Sequence, residues 1–265
     1  MAIPIYTTGE IDAVERAVSI AESAIGRATE FAVPGVTTRE LDERMNSVIE
    51  DAGATAPFRR VEGLSGRFPA ATCISVNEEA AHGVPADRTL AEGDLVVLDA
   101  GVEVEGFHAD RAEPLVIGAG DRALSLRTAA IDVTSTTVRA LQLGGRWSAA
   151  AIAARAAASD RGVTVLGEFT GHGLGRALHE EPRASFHPSA ARSDSPTDFV
   201  LRPGMVFTIE PVVVEGDSEP GLVTLSDGWS VVTADRRWSC YQEVAVAVGE
   251  AGVRVLGFGL GPDPR

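Results

Sequence analysis

Apolar residues first recur on a helical period. Ile11, Val14, Val18, Ala21 and Ile25 mark one face between Glu10 and Phe31, and Pro34-Gly35 ends the helix they predict. A second helix starts at Thr37, with Glu40 three residues on, a capping box in which each side chain takes up the other's free backbone N–H. Leu41, Met45, Val48 and Ile49 carry its apolar face toward Gly53. The period then shortens. Residues 57–72 read as loop, Thr72–Val76 as a short strand, and alternation over Asp94–Ala100 puts Leu95, Val97 and Asp99 on one face and Val96 and Leu98 on the other. A turn at Val104-Glu105-Gly106 folds the chain back through Phe107-His108-Ala109 to Asp110, and Pro114–Ile117 completes an edge strand.

Helical spacing returns over Arg122–Leu143 and, after a Gly-Gly break, over Ser148–Ser159. Strands follow at Val163–Val165, Met205–Val214, Leu222–Leu225, Ser230–Thr233 and Trp238–Val248, with Ser185–Thr197 as an exposed polar loop. One internal repeat stands out. Leu90-Ala-Glu-Gly93 precedes a strand that ends on Asp99, and Leu201-Arg-Pro-Gly204 precedes one that ends on Glu210. Both read Leu-x-x-Gly, five residues, then an acid. The pattern predicts one domain over residues 1–265, built from two similar α/β halves (roughly 1–120 and 121–265) that bring Asp99 and Glu210 to a central site, although a chance match of common residues reads the same.

The candidate chemistry is acidic. A hairpin at residues 104–106 sets Asp99 nearly opposite Asp110, where two carboxylates repel and a divalent cation between them removes the repulsion. Either acid alone reads more readily as an exposed strand-end carboxylate, the usual state of Asp. His82 precedes a Gly-Val-Pro turn, and His172 sits between two glycines, as in a ligand-presenting turn or a loop with no role. The net charge is −15, from 38 acidic against 23 basic residues, all of them arginine, a surface that repels nucleic acid and excludes direct DNA binding. No apolar run reaches membrane-spanning length, and MAIPIYTTGEID lacks the charged and apolar regions of an export signal, so a cytoplasmic location is expected. The lone cysteines Cys73 and Cys240 fit a reducing compartment. No P-loop, GxGxxG, GxSxG or zinc-finger spacing occurs.

The segments SVNEEAAHGVP, GDLVVLDAGVEVEGFHAD, GHGLGRALHEEP and GMVFTIEP, followed by a late glutamate, resemble the type I methionine aminopeptidases over nearly the whole chain. The resemblance implies the pita-bread fold, a central curved antiparallel sheet covered by helices. It implies removal of initiator methionine from nascent proteins with a small second residue, by water activated between two divalent ions (Co, Mn, Fe or Zn). Asp99, Asp110, His172, Glu210 and Glu243 would be the ligands, four carboxylates balancing two dications. Glu210 would also shuttle a proton, His179 would polarise the scissile carbonyl, and His82 would bind the backbone beside it. Cys73, Phe68 and Trp229 match positions that line the methionine pocket, and their plain alternative is core packing. A monomer is expected, with transient contact to the ribosome, which an acidic lysine-free surface does not favour. Leu178 replaces a usual aromatic residue, Ser65 a frequent tyrosine, and Val244-Ala245 the usual His-Thr, while Tyr241-Gln242 transposes an aromatic-Gln order and leaves the support of Glu243 open. An X-Pro aminopeptidase or prolidase, whose relatives usually carry an extra N-terminal domain, and a non-catalytic pita-bread binding protein are the alternatives.

Overall fold

Two capping boxes start the fold. In the computed structural model, which describes residues 2–63, 65–191 and 197–257, helix α1 spans Thr8–Phe31 and α2 spans Thr38–Asp51. The second box is the predicted one: Glu40 Oε2 accepts the Thr37 N–H at 2.8 Å, and Thr37 Oγ1 accepts the Glu40 N–H at 3.2 Å. The first starts α1 two residues before the expected Glu10, because Thr7 and Glu10 form the same reciprocal pair. Helices α3 (Asp121–Ala140) and α4 (Trp147–Asp160) follow, without side-chain caps.

The strand Leu95–Val104 divides the interior by its alternation. Val96, Leu98, Ala100 and Val102 pack with Val14, Val18, Leu41 and Met45 of α1 and α2. Leu95 and Val97 belong to the core under α3 and α4, with Ala130, Val133, Trp147 and Phe207. Asp99, next on that second face, emerges where this core gives way to a cavity.

The Leu-x-x-Gly repeat is matched by the backbone. Gly35 N–H donates to Leu90 O at 2.8 Å and Leu90 N–H to Val36 O at 2.8 Å; in the second half, Gly144 N–H donates to Leu201 O at 3.0 Å and Leu201 N–H to Gly145 O at 2.9 Å. Gly93 and Gly204 both turn the chain with positive φ, 85° and 87°, which glycine adopts without the clash a Cβ brings. Each turn launches a strand that leads to an acid.

Every strand pairing is antiparallel among the described residues. One ladder pairs Leu95–Val104 with Cys73–Val76 and with Phe107–Val116. A second runs Gly252–Val255, Val244–Gly249, Val206–Ile209, Thr170–Gly173, Glu180–Ser185. A bridge between Ala112 and Glu243 joins the two. Both strands expected to be long in the second half are broken, and at the same place. Val206–Ile209 pairs with Val244–Ala247, Val213–Val214 pairs with Ser239–Cys240, and Glu210 and Glu243 lie in the gap. Pro211, with no N–H to give a ladder, fits a break there.

The segment expected to be an exposed loop, Ser185–Thr197, begins on the last residue of the strand Glu180–Ser185 and then buries Phe186 and Ala190. Phe186 packs edge-on against Trp147 at 5.3 Å, Trp147 stacks on Phe199 at 5.9 Å, and its Nε1 donates to Ser185 O at 2.7 Å. This aromatic group makes a segment of polar composition structural; residues 192–196 of the expected loop lie outside the described ones. Trp147 also touches Phe207, on the strand that leads to Glu210. Trp147→Ala is expected to lower stability by about 3–5 kcal/mol and Trp147→Phe by about 1–3 kcal/mol, read from urea unfolding midpoints. A loss below about 1 kcal/mol for Trp147→Ala would show that this cluster does not anchor the second half.

Candidate metal centre

Five sequence-predicted ligands converge, three from within strands (Asp99, Asp110 and His172) and two from strand breaks (Glu210 and Glu243). Asp99 pairs with Ala112, and Asp110 with Gly101, so the two acids share a face of the hairpin one rung apart, diagonal rather than directly opposite. His172 lies in the strand Thr170–Gly173, not in a turn. Its flanking glycines serve close approach between strands: a Cβ on Gly171 would collide with the carbonyl of Thr208, and one on Gly173 with that of Glu181. Asp99, Asp110, His172 and Glu243 are buried, and Glu210 is half-buried.

Each side chain is aimed by neutral groups. His172 Nδ1 lies 3.1 Å from Gly173 O, which can only accept, so the ring proton sits on Nδ1 and the Nε2 lone pair is free. Nε2 faces Glu210 Oε1 at 3.5 Å, Asp110 Oδ2 at 3.8 Å and Glu243 Oε1 at 3.9 Å. Thr208 joins two of these residues, accepting the His172 N–H at 3.0 Å and donating to Glu210 Oε1 at 2.6 Å. Its place two residues before Glu210, on the same strand face, is the signal by which sequence alone could have found it. Glu243 is fixed through its backbone, which exchanges hydrogen bonds with Ala112 at 2.9 and 3.3 Å. Gln242 turns the other way, and its Nε2 donates to Glu113 Oε2 at 3.0 Å, a carboxylate that also pairs with Arg111. Tyr241 donates its O–H to Asp99 Oδ2 at 2.8 Å. The transposed Tyr-Gln pair is therefore engaged on both sides.

The electrostatics call for a cation. Burial, then the neighbouring acids, push the carboxyls of Asp110 and Glu243 well above the usual range. Burial also raises Asp99 and Glu210, against the hydrogen bonds from Tyr241 and Thr208. Asp99 Oδ1 and Glu243 Oε1 are buried without a hydrogen-bond partner among the described residues. Orphaned carboxylate oxygens around a lone imidazole nitrogen fit a divalent ion. Donor atoms of Asp99, Asp110 and Glu243 lie within 4.8 Å of one another, as do those of His172, Glu210 and Glu243, and those of Asp110, His172 and His179. The first two sets share Glu243. Burial depresses His172 to about 3 and His179 to about 4, keeping both imidazoles neutral at physiological pH.

A cavity of about 410 Å³ opens over these residues. His82, His179, Phe68, Cys73 and Trp229 line it together with all five candidate ligands. One end is apolar: Phe58, Phe68, Cys73 and Leu178 form a cluster with Trp229 against it, and the Phe68 and Trp229 rings meet at right angles with centroids 5.3 Å apart. Leu178 thus keeps its position hydrophobic without a ring, and Ser65 sits exposed against Gly228 beside Trp229. His82, which has positive φ (56°), lines the cavity with its ring 6.3 Å from that of Phe169, and His179 and Arg183 also line it. The His179 ring stands 4.4 Å from that of His172. Phe58, Phe169 and Arg183 are wall residues that sequence reading did not pick out, since nothing local marks a loop or strand residue as facing a cavity.

Known proteins share this architecture. A methionine aminopeptidase of Treponema pallidum is 34% identical over 255 residues, 96% of each chain. The crystal structure of a methionine aminopeptidase from Rickettsia prowazekii superposes with a TM-score of 0.88 at 25% identity, covering 96% of this chain and 99% of that one. That agreement bears out the pita-bread fold expected from the sequence. The prolidase of Pyrococcus furiosus matches less well, with a TM-score of 0.70 at 25% identity, and this chain covers 64% of it. Residues 12–254 match the model of metallopeptidase family M24, and the chain belongs to that family.

Proposed function

We propose that this protein removes the initiator methionine from new proteins whose second residue is small, with two divalent ions held by Asp99, Asp110, His172, Glu210 and Glu243. The observation that carries the reading is the meeting of five ligand-type side chains and an apolar, sulfur- and aromatic-lined wall in one cavity. When bound, the ions supply an activated water and polarise the scissile carbonyl. Asp110 and Glu243 would contribute to both positions, Asp99 to one, and His172 and Glu210 to the other. With Oε1 braced by Thr208, Glu210 would take up the proton that the activated water releases and pass it to the leaving amine. His179 hydrogen-bonds the scissile carbonyl, and His82 the peptide backbone next to it. Phe68, Cys73 and Trp229 receive the methionine side chain, a flexible thioether that packs well against ring edges. Phe169 and the two imidazoles also line the cavity, and their bulk supports a preference for small second residues. Initiator methionine is carried by chains fresh from synthesis, so the cytoplasm is the expected place of action.

Three experiments test this. Asp110→Ala and Glu243→Ala are each expected to abolish hydrolysis of Met-Ala-Ser and to lower bound metal measured by atomic absorption; activity retained in either variant would overturn the assignment. His179→Ala should reduce turnover by about 100-fold with metal content unchanged, whereas loss of metal would make His179 a ligand, a role its distance to Asp110 and His172 permits. With Mn supplied, Met-Ala-Ser should release methionine, EDTA should stop the release, and Ala-Pro-Ala should stay intact. Cleavage of Ala-Pro-Ala alone would move the protein to the X-Pro branch of the family.

A further inference from the structure

The proposed ligands are not held alike. His172 is fixed by a backbone carbonyl and Glu210 by the Thr208 hydroxyl, and Asp110 accepts the Arg111 N–H through Oδ1 at 3.1 Å. Asp99 has one donor, the Tyr241 phenol, which takes up Oδ2 and leaves the buried Oδ1 with none among the described residues. A free carboxylate offers either oxygen, or both, to a cation. Here Oδ2 is already engaged and Oδ1 is buried and unpartnered among the described residues, in a carboxylate that has an oxygen within 4.8 Å of donor atoms of Asp110 and Glu243.

Tyr241 reaches Asp99 from behind the site. It falls in the break between the strands Ser239–Cys240 and Val244–Gly249, where Tyr241 and Glu243 both turn to the acid cluster while Gln242 between them reaches Glu113. The phenol is buried in the core with Val97, Ala112 and Ile209 and is not part of the cavity wall. Contact with substrate is therefore not its role. A neutral O–H donor is also suited to its neighbour: it orients a carboxylate without cancelling the charge that a metal ion needs.

We propose that Tyr241 is a positioning residue that makes Asp99 a one-oxygen ligand, holding Oδ2 so that Oδ1 alone is presented to the metal. The inference rests on Asp99 being a ligand, as read above. Tyr241→Phe removes only the hydroxyl and keeps the ring in the core. In calorimetric titration of the metal-free full-length protein with Mn²⁺, its affinity is expected to fall by about 10-fold or more relative to the wild type, with an unchanged far-ultraviolet dichroism spectrum. Wild-type affinity in the folded variant would overturn the proposal. Asp99→Ala, titrated alongside, separates the two readings: if it binds Mn²⁺ like the wild type, Asp99 is no ligand and both fail, whereas if it loses Mn²⁺ while Tyr241→Phe does not, only the role of Tyr241 fails. Should Tyr241→Phe not fold, a crystal structure of the wild-type protein with Mn²⁺ decides. Coordination through Oδ1 alone, with the phenol on Oδ2, supports the proposal, and coordination through both oxygens with the phenol displaced overturns it.

Discussion

Four carboxylates and one imidazole share a single buried pocket, and much of the architecture follows from making that tolerable. Each carboxylate removed from water loses several kcal/mol of hydration unless a partner of opposite charge replaces it. Their mutual repulsion adds to the penalty. The two apolar cores, one beneath α1 and α2 and the other beneath α3 and α4, supply the burial that holds the acids together. Cations then convert the repulsion into attraction, so metal binding and the stability of this region are linked.

The repeated halves explain how acids from distant stretches meet. Each half uses a glycine with positive φ to launch a strand, and each strand delivers an acid to the centre. The copies are not equivalent in detail. Asp99 lies within a ten-residue strand whose ladder continues on either side, while Glu210 sits past the end of a four-residue one. Of the five proposed ligands the one histidine comes from the second half, on a strand whose glycines let it approach both neighbours closely. The resulting site is asymmetric, with a carboxylate-only side at Asp99 and a mixed nitrogen and oxygen side at His172, which are different environments for a metal ion.

What could be read from the chain followed from local periodicity. The alternation around Asp99 states which face it occupies, the apolar stripes state where the helices run, and the turn at residues 104–106 places Asp110 on the same face. What could not be read depends on partners far along the chain. Met205–Val214 and Trp238–Val248 look continuous because each run is apolar throughout. Their breaks coincide only because the two strands pair with each other, and those breaks release Glu210 and Glu243. His172 reads as a turn because its glycines suggest freedom, whereas their function is to let the Thr208 and Glu181 carbonyls come close. Phe186 lies in a segment of polar composition and is buried by the Trp147 cluster, a contact that no local pattern signals.

The way the ligands are braced carries the same logic into the side chains around them. The chain has 23 basic residues, all arginine, and the groups seen to hydrogen-bond the side chains of Asp99, Asp110 and Glu210 are instead a phenol, a backbone amide and a hydroxyl. Arg111, adjacent to Asp110, is directed instead to Glu113 and Glu22. A guanidinium on a ligand would relieve the repulsion by itself, but it would also occupy the oxygens and neutralise the charge that attracts a cation. Hydroxyls of Tyr241 and Thr208, backbone amides and a carbonyl fix orientation without cancelling the negative charge, and the pull of Arg183 in the cavity wall on Glu210 is outweighed by burial. Such a centre is oriented in advance but electrostatically incomplete, and a small multivalent cation is the partner that completes it.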